Sequence, residues 1–220
     1  MERYKTFLSV VVFSIAMAYL ESSVVVYLRG LYGIEDLLRD MNFTPDKYTF
    51  IEIGREAATI VILVFIGILA GNTIWKKSGY FLIAFGIWDI FYYLWLYVFI
   101  QWPESIFDWD ILFLIPLPWW GPVIAPILIS LLLIMTGYFL IIERSYRIKS
   151  FDWIIIVLSM ILILFTFMED SISIILTGNG DLTNVRPTNY NWILFSAGYL
   201  SWFTVTLKVF FTTRTFSQTK

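Results

Sequence analysis

The 220-residue chain contains no cysteine and no histidine. Those absences exclude structural disulfides, thiolate nucleophiles, ordinary haem ligation, zinc held by His or Cys, and every Ser-His-Asp or Cys-His catalytic arrangement. Charge is scarce as well. Asp, Glu, Lys and Arg make up 15% of the residues, the net charge is −2, and the basic residues form no continuous patch, so nucleic acid is not an expected partner. No Ser/Gly linker, charge block or low-complexity stretch separates a second domain, and residues 1–220 read as one domain.

What the chain has is apolar surface. Hydrophobic residues reach 59% and aromatics 20%, with mean hydropathy +0.78, well beyond the ~45–50% apolar content of soluble domains. A bilayer-spanning helix needs ~20 mostly apolar residues. Six segments qualify, roughly 6–28, 51–74, 79–100, 122–142, 152–176 and 190–212. The expected fold is therefore all-α: a six-helix transmembrane bundle, with the lipid bilayer as its first partner. The opening Met1-Glu2-Arg3-Tyr4-Lys5 followed by an apolar run has the outline of a signal peptide. Its length, beyond 20 residues, and the lack of an A-x-A site after the run make it the first span instead.

Six spans place both termini on one side. That side collects Arg3, Lys5, Lys76, Lys77, Arg144, Arg147, Lys149, Lys208, Arg214 and Lys220, against Arg29, Arg39, Lys47 and Arg186 on the other. The positive-inside rule then puts both termini in the cytoplasm. The outer loops are acidic, with Glu35, Asp36, Asp40, Asp46, Glu104, Asp108, Asp110 and Asp181.

Five of the seven prolines fall in the stretch Gln101 to Pro126, at 103, 116, 118, 122 and 126, and prevent one regular helix there. Ile111-Leu112-Phe113-Leu114-Ile115 is nevertheless too apolar for a free loop. The segment is expected to lie on the outer leaflet or re-enter it, with Asp108, Asp110 and Trp119 forming a lid over the bundle. Non-helical backbone at membrane depth requires protein or a water-filled cavity around it.

The candidate site is a set of charges inside the spans. A charge at the bilayer centre costs ~2.5–3.5 kcal/mol on insertion scales, so such residues face the bundle interior and mark function by default. Glu21, Glu169 and Asp170 fall in the outer halves of their helices, Glu52, Arg55 and Glu56 in the first outer turns of the second span, and Asp89 nearer the midplane. Glu52, Arg55 and Glu56 share one helix face at i, i+3 and i+4. Ser14, Ala18 and Ser22 form a small-residue stripe beside Glu21, which should turn that acid inward, toward a partner from the second helix rather than Arg29. Tyr92 and Tyr93 stand at i+3 and i+4 from Asp89, placed to hydrogen-bond it. Glu169 and Asp170 diverge by ~100°, so one of them at most faces the site. Gly67 and Gly71 read as close helix packing, and Lys208 as a snorkelling cytoplasmic lysine.

Trp88-Asp89-Ile90-Phe91-Tyr92-Tyr93, Trp102-Pro103-Glu104-Ser105, and Trp109-Asp110-Ile111 on to Trp119 resemble a group of uncharacterised polytopic inner-membrane proteins of prokaryotes; Arg55-Glu56-Ala57-Ala58-Thr59 and Leu69-Ala70-Gly71 carry the same likeness. The resemblance implies a multi-span protein of the prokaryotic plasma membrane and no particular chemistry.

Three functions follow from the acids. The first is binding of a cation, a proton or a small polar ligand for transport. The second is a membrane-embedded enzyme acting on a lipid or lipid-linked substrate from the outer face, with carboxylates as acid and base and a carboxylate-bound Mg²⁺, Mn²⁺ or Ca²⁺ as the one metal the donor set suits. The third is an accessory subunit whose charges pair with a protein partner.

Overall fold

A computed structural model describes residues 2–34, 37, 47–142, 148–177, 187 and 189–218. It is 81% helical, and six helices are long and apolar enough to cross a membrane. They are α1 (Glu2–Tyr32), α2 (Lys47–Ala70), α3 (Ile74–Ile100), α4 (Ile124–Ile142), α5 (Ser150–Leu176) and α6 (Trp192–Gln218), with strands β1 (Trp109–Ile111) and β2 (Trp120–Pro122) between α3 and α4. The chain is a membrane protein. The loop charges Glu35, Asp36, Arg39, Asp40, Asp46, Arg144, Arg147, Asp181 and Arg186, with Lys220, lie outside the described residues.

The turn between α2 and α3 is tighter than the hydropathy pattern suggests, with α2 ending at Ala70 and α3 beginning at Ile74. Thr73 caps α3, its side chain accepting from the Lys76 backbone N–H at 3.3 Å. Gly71 makes the turn possible, since a Cβ there would stand 2.3 Å from the Lys77 backbone nitrogen. Gly67 is equally pressed, 2.6 Å from the Lys77 carbonyl oxygen. The G-x-x-x-G is a packing device.

Helix α3 is the hub, packed against α1, α2 and α4, while α5 pairs with α6. Small residues set each close approach, as expected where lipid supplies no hydrophobic drive between helices. On α1, Ser14, Ala18 and Ser22 are fully buried, and the Ser22 hydroxyl donates to the Tyr92 carbonyl of α3 at 2.9 Å. Between α3 and α4, Gly79 faces Gly137 and Gly86 faces the Ser130 carbonyl, so closely that a Cβ at either of the first two would meet the other's carbonyl oxygen at under 3.0 Å. On the second pair, a Cβ on Gly198 of α6 would stand 2.9 Å from the Ser159 carbonyl of α5.

The proline-rich segment is a hairpin that dips between these groups. β1 pairs antiparallel with β2, Asp110 opposite Gly121. The ladder is extended by Leu112 N–H to the Trp119 carbonyl at 2.9 Å and Val123 N–H to the Asp108 carbonyl at 2.9 Å. Two peptide bonds before proline are cis, Trp102-Pro103 ahead of β1 and Ile115-Pro116 at the tip between the strands. The tip is anchored on both sides: Leu114 N–H donates to Glu56 of α2, and the Ser171 hydroxyl of α5 donates to the Pro118 carbonyl at 2.8 Å. Glu56 lies nine residues into α2, roughly 14 Å down its axis. The hairpin therefore enters the bundle rather than lying across its end, with its own ladder and these two side chains taking up backbone hydrogen bonds there.

Candidate functional site

A cavity of about 350 Å³ lies between α1, α2, α3 and the hairpin, and seven acidic or basic side chains line it beside four tyrosines, Tyr92 and Tyr93 among them: Glu21, Arg29, Glu52, Arg55, Glu56, Asp89 and Asp110. Five carboxylates face two guanidiniums. Three elements of sequence explain why they meet. The Ser14/Ala18/Ser22 stripe locks α1 against α3 and turns Glu21 inward. The i, i+3, i+4 face of α2 presents its charges together, and the hairpin delivers Asp110 from above.

Arg55 is the centre of one group. It pairs with Glu21 of α1 and with Glu52 one turn back on its own helix. The Thr59 hydroxyl adds a hydrogen bond to Glu21 at 3.1 Å. Glu21 thus takes its partner from the second helix, the element its position on α1 pointed to. Glu56 is held differently, both oxygens accepting the Leu114 N–H at 2.9 and 3.0 Å. It is 6% exposed and has no ion pair among the described residues.

Arg29 and Asp110 form the second group. The Arg29 Nη2 stands 3.8 Å from Asp110 Oδ1, and its guanidinium carbon lies 3.9 Å above the Trp102 ring. The Tyr93 hydroxyl donates to Asp110 Oδ2 at 3.1 Å. Burial pushes the Asp110 carboxyl up from its usual 3.8 to about 6, with Arg29, Tyr93 and the Ile111 backbone pulling the other way. Tyr92 stands within electrostatic reach of both groups, Arg29 and Asp110 on one side, Arg55 and Glu52 on the other.

Asp89 departs from expectation. Neither Tyr92 nor Tyr93 hydrogen-bonds it; the Ser130 hydroxyl of α4 does, at 2.7 Å. The cause is the Gly86 approach one turn earlier, which brings α4 against the Asp89 face of α3 and leaves Tyr93 free to reach the hairpin. Asp89 also borders a second space, an apolar groove of about 420 Å³ between α3 and α4 on one side and α5 and α6 on the other. Leu112, Phe113 and Asp89 line both spaces.

Glu169 and Asp170 do not join the site. Their helix belongs to the α5–α6 pair, and the hairpin stands between that pair and the cavity. Glu169 accepts from the Asn191 side chain at 3.2 Å, while Asn191 also caps the start of α6 by accepting from Leu194 N–H at 3.2 Å. Asp108 is a turn residue, its carboxylate accepting from Glu104 N–H at 2.8 Å and Ser105 N–H at 3.0 Å. Trp119 packs between Phe113 and Phe167, with ring centroids at 5.3 and 6.3 Å, and lines the apolar groove rather than the polar cavity.

Two charged positions carry more than their sequence suggested. Arg29 continues the buried face of α1, Ser22, Val25 and Arg29 standing at i, i+3 and i+7, a spacing that could have revealed it. At the opposite end of the bundle, Asp152 is 2% exposed and pairs with Lys208 at 2.5 Å, so that lysine neutralises a buried acid instead of only reaching for water.

Among the described residues, no three acidic side chains are grouped so as to hold a metal ion. The carboxylates are spread around Arg55, the hairpin amide and Asp110's partners. Compared with family models, curated proteins and solved structures, the chain matches none.

Proposed function

We propose that the polar cavity binds a small cationic solute, admitted from the hairpin end, and that the chain moves this solute as a transport protein. The observation behind the reading is the charge balance of one cavity: five carboxylates against two guanidiniums. A surplus of buried carboxylates in a low-dielectric wall favours an incoming positive charge. A bound ammonium group gives Asp89 a countercharge that no described side chain supplies, and adds to the attraction that Arg55 exerts on Glu56. In the expected orientation, the cavity opens to the outside of a prokaryotic plasma membrane, where acidic loops concentrate cations.

Glu56→Gln is the discriminating variant, because an amide oxygen still accepts the Leu114 N–H while the charge is removed. With ethanolamine as the probe ammonium, calorimetric titration of the detergent-solubilised protein should show saturable binding that Glu56→Gln weakens about tenfold or more. Proteoliposomes should then take up ethanolamine down its gradient, and the same variant should slow that uptake. Absence of binding overturns the cation reading; binding without uptake overturns transport.

A second reading has one observation in its favour. The apolar groove shares Asp89, Leu112 and Phe113 with the polar cavity, the arrangement a lipid-linked substrate of an enzyme would need. Loss of a defined lipid substrate on incubation, with no ethanolamine uptake, would favour it.

A further inference from the structure

Arg29 is the polar side chain of the cavity whose bonding is least complete. Its side chain is 9% exposed and lines the cavity. Trp102 covers one face of the guanidinium, and Asp110 stands at 3.8 Å, within ion-pair range but beyond hydrogen-bond distance. Among the described residues, its Nε and Nη2 have no hydrogen-bond acceptor. Buried guanidinium N–H groups are satisfied in nearly all folded proteins, and leaving one open is costly. Nε and one Nη are also the pair of donors that grips a carboxylate or phosphate through two parallel bonds. By contrast, Arg55 has Glu21 and Glu52 on it already.

The flanking groups narrow the chemistry. A free anion would enter a space in which carboxylates outnumber guanidiniums, so an oxyanion gains at Arg29 only if the rest of its molecule is positive. We infer that Arg29 is the oxyanion-recognising residue of this cavity, and that its ligand is a zwitterion: an ammonium group directed to the acids of α1 and α2, joined to a carboxylate or phosphate directed to Arg29 Nε and Nη2. The inference rests on the cavity being a cation site and deepens that reading.

Three probes at equal ionic strength separate the parts: ethanolamine carries the ammonium alone, inorganic phosphate the oxyanion alone, and phosphoethanolamine both. Binding to the full chain in detergent should be tightest for phosphoethanolamine and weakest for phosphate. Arg29→Met, which keeps an apolar stem beneath Trp102, should weaken phosphoethanolamine about tenfold, while ethanolamine, relieved of a like charge in the cavity wall, binds at least as tightly as before. Arg29→Lys should restore part of the difference. If Arg29 served only to latch the hairpin to α1, Arg29→Met would lower the thermal midpoint and weaken both ammonium probes alike, and the inference would fail. It fails too if phosphoethanolamine binds no better than ethanolamine, a result that leaves the cation reading standing. Failure of ethanolamine to bind overturns that reading itself. In nanodiscs, displacement of soluble phosphoethanolamine by phosphatidylethanolamine but not by phosphatidylglycerol assigns the zwitterion to a lipid headgroup, and undiminished binding assigns it to a soluble molecule.

Discussion

Replacing Arg55 by methionine is expected to destabilise the protein by ~3–5 kcal/mol, the cost of leaving buried carboxylates without their cation. Arg55 holds Glu21 from α1 and Glu52 from its own helix, and the side-chain exposures of these acids are 10% and 17%. The same logic makes the loss recoverable. Glu21→Gln and Glu52→Gln introduced together with Arg55→Met should return much of the stability, because no charge is then stranded and Thr59 still bonds position 21. Unfolding midpoints in detergent for the single variant, the Gln pair and the triple variant form the test. Additive losses across that set would mean that the three side chains do not act as one cluster.

Gly137→Val should be nearly as damaging, through geometry alone. A Cβ at 137 would sit 2.5 Å from the Gly79 carbonyl oxygen and 2.9 Å from the Ile83 side chain. A backbone oxygen cannot rotate aside, so α3 and α4 must separate, at a cost of about 1–3 kcal/mol or more. Because Ser130 reaches Asp89 across the same contact at 2.7 Å, the separation should also disturb the cavity, and ethanolamine binding should fall together with the thermal midpoint. Gly54→Ala is the control. Its Cβ would meet nothing within 4 Å in the middle of α2, so replacing a helical glycine there should be neutral or stabilising by ~0.5–1 kcal/mol. Equal losses at 54 and 137 would remove the packing explanation.

The helices were legible in the sequence because twenty-residue apolar runs have few other uses, and Glu21 was legible because a small-residue stripe fixes which face of α1 is inside. The hairpin was not. Prolines announce that a helix is broken, but the pairing of β1 with β2 depends on Gly121 lying opposite Asp110, under Phe167, a contact with α5 distant in sequence. Arg29 was read against Glu21 alone, two turns away, although its true neighbours, Trp102 and Asp110, arrive from that hairpin. Glu169 and Asp170 misled for a complementary reason. Depth along a helix can be counted from the sequence, whereas the side of the bundle on which the helix stands cannot. α5 carries its acids at the right height and on the far side of the plug.

Because the chain has no cysteine, a single thiol reports directly on the cavity. Val25→Cys places one within the polar cavity and Leu133→Cys one in the apolar groove. In sealed vesicles, position 25 should react with a positively charged methanethiosulfonate from the hairpin side about tenfold or more faster than with a negatively charged one of similar size, and added phosphoethanolamine should slow that reaction, while position 133 reacts with neither. Equal rates for the two reagents at position 25, or no reaction there, would contradict a water-filled cavity that selects positive charge.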